Sequence, residues 1–129
     1  MSWTYEIASG RLYSDSGELI GVGYSGAPSH KNDVTAQSLP DLGPIPEGWY
    51  TIGSPVDTVT HGPYVLPLTP DPSNQMYGRS GFLMHGDSVV APGTASEGCL
   101  IQARDVREQV GTSTDHRLQV VAQLEESNA

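Results

Sequence analysis

The chain has 129 residues, with six Lys or Arg against fifteen Asp or Glu and a formal net charge of -9. This acidic balance repels nucleic-acid phosphates and anionic lipid surfaces, and no segment has the roughly 20 apolar residues of a membrane span. We therefore expect no nucleic-acid partner and no membrane insertion. The length predicts one domain over residues 1–129, held by packing, because a single cysteine cannot form an internal disulfide.

Fifteen glycines and ten prolines separate short runs rich in Val, Ile, Tyr, Trp and Thr. This pattern is typical of a mainly β fold. Asp15-Ser16-Gly17 predicts a tight hairpin turn, because Asp and Gly tolerate positive φ angles. The predicted strands cover residues 3–7, 11–14, 19–24, 49–52, 64–68, 81–85, 99–102 and 118–123.

Between these strands, residues 27–46 and 69–80 are rich in Pro, Asn, Asp and Ser and are predicted to be surface loops. One short amphipathic helix is predicted over residues 103–110, where Val106 and Val110 are spaced four apart, and it is predicted to end at Gly111. Residues 125–129 are expected to form a frayed polar tail.

The cysteine of this chain, Cys99, follows His85 by a short stretch of sequence. A thiol with a pKa of about 8.5 is only a few per cent thiolate at neutral pH, so a nucleophilic cysteine needs a neighbouring base. If the strands ending at His85 and beginning at Cys99 are neighbours, the imidazole and the thiol lie within reach of each other. Taken from the residues alone, a small buried core cysteine beside a structural histidine stays equally open.

Glycines flank both residues of this candidate pair. Gly86 and Gly98 permit close approach of a substrate to the backbone, and the amides of Gly98 and Cys99 are candidates to stabilise a developing oxyanion. Ser96 is a candidate for a hydrogen bond near the thiol, although serines in turns usually satisfy local backbone. No Cys/His spacing predicts a zinc site, and no metal or other cofactor is expected.

His85-Gly86 followed by Ser96-Glu97-Gly98-Cys99-Leu100 resembles the His-Gly and Ser-His-Gly-Cys signature of the L,D-transpeptidase (YkuD-like) superfamily. Further segments resemble its branch of type VI secretion effectors, and the resemblance runs from Trp3 to about Val121. These segments include Ser9-Gly10-Arg11-Leu12, Gly23-Tyr24-Ser25-Gly26 and Leu42-Gly43-Pro44-Ile45-Pro46-Glu47-Gly48.

The resemblance implies a β-rich catalytic domain acting on peptidoglycan stem peptides. Cys99 would be the nucleophile, His85 the base, and the Gly86 carbonyl the group that orients the imidazole. In the family reaction the thiolate displaces the terminal D-alanine of a tetrapeptide stem. Water or an amine then takes the acyl group, which gives carboxypeptidase or exchange and cross-linking activity.

Two positions depart from the family pattern. Glu97 stands where the family has its second histidine, and three interpretations stay open: it raises the pKa of Cys99, it holds His85 in the useful tautomer, or it faces solvent. Ile101 stands where many cell-wall-building members have an arginine, which leaves recognition of the stem carboxylate unassigned.

Asp87, Ser88, Tyr24 and Lys31 are further candidates for substrate binding, each with an ordinary structural alternative. Arg79 is interpreted as a solvated surface cation. The remaining histidines lack ligand-like spacing and are assigned no chemistry; they are His30, His61 and His116.

The first residues show neither a basic nor an apolar signal region, so we expect synthesis in the cytoplasm. Together with this, the effector resemblance implies delivery to the periplasm of a target bacterium. The effector resemblance implies a cognate immunity protein over the catalytic mouth and a secretion-apparatus partner. Two alternatives remain: a catalytically weak peptidoglycan-binding or adaptor domain, which Glu97 keeps open, and a phage-encoded lytic enzyme of the same fold.

Overall fold

The computed structural model describes residues 2–124, so the predicted tail lies outside the described residues. The fold is mainly β with one α-helix in the described part, as the sequence predicts. The strands are β1 (Trp3–Glu6), β2 (Arg11–Tyr13), β3 (Leu19–Val22), β4 (Tyr24–Ser25), β5 (Gly48–Ile52), β6 (Val56–Thr58), β7 (Gly62–Pro70), β8 (Leu83–His85), β9 (Leu100–Ile101) and β10 (Arg117–Val121), and the helix is α1 (Arg104–Thr112). The predicted loop 27–46 contains two 3-10 turns, Pro28–His30 and Val34–Ala36.

The strands form a mixed sheet in the order β3-β2-β1-β10-β5-β7-β8-β9-β4, with β6 paired to β7 outside this path. Two pairs are parallel, β1 with β10 and β8 with β9, and the other pairs are antiparallel. Parallel neighbours need a long crossover connection, and residues 86–99 provide it between β8 and β9. This crossover connects His85, at the end of β8, to Cys99, which immediately precedes β9.

The predicted strand 19–24 is in fact two strands that pair at opposite ends of the sheet path. The change of partner occurs at Gly23, where an added Cβ would lie 1.6 Å from the Ile101 carbonyl oxygen. Because β3 and β4 are separated by this one residue, the two ends of the path lie beside each other. The sheet therefore curls strongly, as in a small barrel.

Helix α1 packs its apolar face, Val106 and Val110, into the core. The prediction that Gly111 ends the helix is wrong, because α1 continues to Thr112. A Cβ at Gly111 would lie 2.5 Å from the Tyr64 hydroxyl oxygen. The glycine is thus required by close packing of Tyr64 against the helix.

The core is one cluster of buried apolar side chains from both the sheet and α1. Among the largest fully buried residues are Tyr5, Tyr50, Leu66, Met84 and Leu100. Leu66, Met84 and Leu100 lie in register across β7, β8 and β9. This apolar row fixes the strand ends that carry the candidate site.

Candidate active site

His85 is the last residue of β8 and is only 3% exposed. Its backbone carbonyl accepts a hydrogen bond of 3.1 Å from the Gln102 amide, which ties the end of β8 to β9. Cys99 immediately precedes β9 and is partly buried. The two strands are parallel neighbours, with His85 opposite Ile101, so the adjacency expected from the sequence is present.

Cys99 and His85 both line an open cavity of about 460 Å³. The thiol is therefore not sealed within the core, although it is partly buried. The remaining lining residues come from four loop segments and are Pro40, Asp41, His61, Gly78, Arg79, Ser80, Gly81, Phe82, Thr94, Ala95, Glu97 and Gly98.

Ser96 shapes the turn that presents Cys99. Its buried hydroxyl donates to the Cys99 carbonyl oxygen at 2.7 Å and accepts from the amides of Gly98 at 3.0 Å and Gly26 at 2.9 Å. Three backbone groups are therefore satisfied by one uncharged side chain. The Gly98 amide is already bonded, which removes one of the two oxyanion donors considered from the sequence.

Arg79 braces the same turn from the cavity side, which the interpretation as a solvated surface cation missed. Its guanidinium donates to four carbonyl oxygens, those of Gln37, Gly43, Pro44 and Glu97, at 2.7 to 3.3 Å. Gly98 has φ +139°, and a Cβ there would lie 2.4 Å from Arg79 Nη2. A glycine at position 98 is thus required both by its backbone angle and by the guanidinium.

The His85 ring is held in one tautomer. Its Nδ1 lies 2.9 Å from the Gly86 carbonyl oxygen. Because a carbonyl oxygen only accepts, Nδ1 carries the proton and Nε2 of the neutral ring is left as an acceptor. An added Cβ on Gly86 would lie 2.9 Å from Nη1 of Arg107, a buried helix residue that packs behind this strand end.

The environment keeps the imidazole neutral. Burial lowers the pKa of His85, and the nearby His61 and Arg107 lower it further, whereas the Gly86 hydrogen bond and Asp87 oppose the change. Since an ordinary histidine has a pKa near 6.5, His85 is uncharged at pH 7. An uncharged imidazole with a free Nε2 is able to accept a proton.

The thiol is also uncharged at rest. Burial raises the pKa of Cys99, and the nearby Glu97 carboxylate raises it further. A hydrogen bond from the Leu83 backbone and the charge of Arg79 lower it, but the net effect is a raised pKa. A neutral thiol and a neutral imidazole therefore line the same cavity, and a nucleophile forms only when a base removes the thiol proton.

Glu97 lines the cavity with an exposed side chain. Within residues 2–124 its carboxylate makes no hydrogen bond to His85, whose Nδ1 is bonded to Gly86 instead. Of the three interpretations left open by the sequence, a solvent-facing charge that raises the pKa of Cys99 agrees with this placement.

Tyr24 and Asp87 meet behind the cavity. The Tyr24 hydroxyl donates to Asp87 at 2.6 Å and accepts from the Ala95 amide at 3.0 Å. The Asp87 carboxylate also accepts from the amides of Ser88 at 2.8 Å and Gly93 at 3.0 Å. These contacts close residues 87–95 into an ordered loop.

Lys31 completes this second cluster, with Nζ 4.3 Å from the centre of the Tyr24 ring. Partial burial raises the pKa of Asp87, but its hydrogen bonds and the Lys31 charge outweigh burial and leave the pKa below the usual value. The structure thus brings together the four residues predicted to bind substrate, which are Tyr24, Lys31, Asp87 and Ser88. None of them lines the Cys99 cavity, but Asp87 and Ser88 line an adjoining cavity of about 390 Å³ together with His85 and His61.

The family model of the Tlde1 domain matches residues 21–124, which include every residue of the site described above. The chain belongs to the Tlde1 domain family. This family is one of type VI secretion effectors, consistent with a toxin that is secreted into a target cell and has a cognate immunity protein. A comparison with curated proteins gave no match.

One residue of this Tlde1 domain that the sequence left without chemistry lies at the site. His61, in the turn between β6 and β7, lines the cavity, and its ring centre is 4.7 Å from that of His85. The strand β6 was also missed, since it has only three residues. The antiparallel register of β7 and β8 accounts for the contact between His61 and His85, because it places the start of β7 near the end of β8.

Residues 2–124 of the Tlde1 domain contain no group of three or more His, Cys, Asp or Glu side chains that could hold a metal ion. In the same residues, no helix has the length and apolar character required to cross a membrane.

Proposed function

We propose that the chain is a cysteine-dependent L,D-transpeptidase or L,D-carboxypeptidase that acts on peptidoglycan tetrapeptide stems in the periplasm of a target bacterium. One observation carries the proposal: Cys99 and His85 line the same open cavity from adjacent parallel strands. The Nδ1 hydrogen bond to Gly86 supports the base role, because it leaves Nε2 free to accept the thiol proton.

In the proposed reaction, His85 Nε2 takes the proton of Cys99, and Sγ attacks the carbonyl carbon that precedes the terminal D-alanine. The Sγ–C bond forms, the C–N bond breaks, and the proton on His85 passes to the leaving amine. Water or the amine of a D-amino acid then attacks the thioester, loses a proton through His85 and releases the thiol. The products are a tripeptide stem or an exchanged stem.

The oxyanion of each tetrahedral intermediate needs a fixed donor. The Gly98 amide donates to Ser96 Oγ, so we assign this role to the Cys99 amide. Ser96 and Arg79 then act as positioning residues, because they set the backbone from which this amide projects.

The charges of the cavity suit a stem that carries a free ammonium group. Two carboxylates, Asp41 and Glu97, line the cavity. The Arg79 guanidinium is engaged by backbone carbonyls. A meso-diaminopimelate residue at the third stem position offers such an ammonium on its side chain, which the carboxylates would attract.

We also place the immunity protein over the mouth of this cavity, where it would block the stem from Cys99. Binding of that protein would protect the thiol from alkylation. A secretion-apparatus component is the second protein partner implied by delivery.

The test is incubation of the reduced protein with tetrapeptide muropeptides, with products read by mass spectrometry. We expect tripeptide and free D-alanine from the wild type, none from Cys99→Ala, and a loss of at least about a hundredfold in His85→Ala. His116→Ala, which changes an exposed histidine outside the cavity, should match the wild type. Absence of product from the wild type contradicts the proposed enzyme and favours a peptidoglycan-binding domain.

A further inference from the structure

His61 and His85 form a pair of imidazole rings with centres 4.7 Å apart and planes inclined at 53°. His61 comes from the turn between β6 and β7 and His85 from the end of β8, and the two residues differ in burial. His85 is buried and His61 is exposed, although both line the cavity. An exposed ring contributes little to the core, so a stabilising role in packing does not account for this placement.

The turn that carries His61 is ordered through its backbone. The His61 amide donates to Thr58 Oγ1 at 2.8 Å, and Thr58 Oγ1 donates to the Gly62 carbonyl oxygen at 3.2 Å. Gly62 has φ +83°, which turns the chain back into β7. None of these bonds uses the imidazole, so the backbone of the turn is held without the His61 ring.

A separate hydrogen bond aims the ring. His61 Nδ1 lies 2.9 Å from Thr60 Oγ1. The hydroxyl is able to donate or accept, so this contact persists in either protonation state of His61. The ring therefore stays against His85 whether or not it carries a charge.

We propose that His61 is a positioning residue for His85, whose tilted neighbouring ring fixes the orientation of the His85 imidazole. The inference rests on the proposed role of His85 as the base. The Gly86 hydrogen bond holds His85 at one nitrogen, and the adjacent His61 ring restrains rotation of the rest of the imidazole.

The other charged groups that face His85 come from two further elements. Arg107 of α1 lies behind the strand end and disfavours the imidazolium, and Asp87 of the following loop favours it. Both are held by hydrogen bonds of their own, Arg107 to the Gln102 carbonyl oxygen at 2.6 Å and Asp87 to Tyr24 at 2.6 Å. His61, in the turn between β6 and β7, is the third facing group and also disfavours the imidazolium.

The test compares wild type, His61→Phe and His61→Ala, with His116→Phe as the matched control. The His85 ring is titrated by NMR from about pH 5 to pH 9, and the rate of Cys99 alkylation by iodoacetamide is measured over the same range. We expect His61→Phe to keep an aromatic ring beside His85 but to raise the titration midpoint of His85 by about half a pH unit, because it removes the charge repulsion from position 61. His61→Ala should raise the midpoint and also slow alkylation at neutral pH by about tenfold, part of what a general base contributes.

His116→Phe should change neither measurement. The proposal would be overturned if His61→Ala had the same His85 titration midpoint and the same Cys99 alkylation rate as the wild type. Neither measurement uses peptidoglycan, so failure of the muropeptide assay with a normal His61 result rejects the proposed function alone. If the wild type converts muropeptides but His61→Ala changes neither the His85 midpoint nor the alkylation rate, the role of His61 alone is rejected.

Discussion

Two segments present the candidate reactive groups, and they are held by different chemistry. The cysteine turn, residues 96–99, is held by the buried hydroxyl of Ser96, with Ser25 donating to the Gly98 carbonyl oxygen at 3.0 Å. The histidine loop, residues 86–95, is held by the carboxylate of Asp87, which is exposed to solvent. Both sets of bonds fix backbone, but only the histidine loop depends on a carboxylate, since the charged group at the cysteine turn is the Arg79 guanidinium, which donates to the Glu97 carbonyl oxygen.

The difference follows from what each segment presents. A carboxylate buried beside Cys99 would raise the thiol pKa and weaken the nucleophile, so an uncharged hydroxyl is the group suited to that turn. Beside His85 a negative charge favours proton uptake, and Asp87 supplies it from the solvent edge. The fold thus supports the thiol with an uncharged hydroxyl and the Arg79 guanidinium, and supports the base with a carboxylate.

The largest effect is expected from Ser96→Ala, which removes the neutral support. The change leaves two buried amides and one carbonyl without their partner, and we expect a loss of roughly 2–3 kcal/mol in the free energy of unfolding. Urea denaturation measures this loss. Ser88→Ala is the matched control, because the Ser88 hydroxyl accepts one bond, from Ala91 in the histidine loop, and should cost less than about 1 kcal/mol.

The Ser96→Ala loss should be the same at neutral and at acid pH, since no charged partner takes part. A loss that disappears in acid would mean that the turn depends on an ionised group after all. That result would contradict the proposed difference between the cysteine turn and the histidine loop.

A smaller and pH-dependent effect is expected from Asp87→Asn. The folded-state pKa of Asp87 is below its unfolded value, so its stabilising contribution is complete above about pH 4 and is lost as the pH falls through the lower folded value. We therefore expect Asp87→Asn to be less stable than wild type at neutral pH. The two proteins should converge in urea midpoint as the pH approaches the lowered pKa.

Asp115→Asn serves as the control for this comparison, because no hydrogen bond to the Asp115 carboxylate is present within residues 2–124. It should leave the pH dependence of the wild type unchanged. A constant difference between Asp87→Asn and wild type at all pH values would show that shape, not charge, supports the histidine loop.

The strands and the Cys99 and His85 pair were predictable because their signals are local. Short β-rich runs bounded by Gly and Pro mark β5 and β10 to within a residue or two. The division at Gly23 was not predictable, since it depends on the Ile101 carbonyl oxygen, which is distant in sequence. The role of Gly111 was not predictable for the same reason, because the close contact there comes from Tyr64 of another strand.

At the site, the sequence missed residues whose partners are backbone groups or neighbours across the sheet. Arg79 binds carbonyl oxygens, and no residue type in the sequence marks these acceptors. His61 reaches His85 through the register of β7 and β8, which strand patterns alone do not specify. Tyr24 and Asp87 were selected as candidate substrate residues, and their hydrogen bonds to each other and to loop amides show that they also support the histidine loop, which the sequence did not indicate.

The smallest effect is expected from Glu97→Gln, which removes the one charge that the cysteine turn itself carries. Glu97 is exposed and acts on Cys99 through space, and solvent screens such a charge, so the pKa of the thiol should fall only slightly. We expect alkylation of Cys99 by iodoacetamide at neutral pH to speed up by about twofold to threefold, with no change in urea midpoint. Glu18→Gln, an exposed carboxylate outside the cavity lining, is the control and should leave the rate unchanged. A slower alkylation rate in Glu97→Gln would instead mean that the Glu97 carboxylate helps to position the reactive groups. The cysteine turn would then depend on a carboxylate, as the histidine loop does.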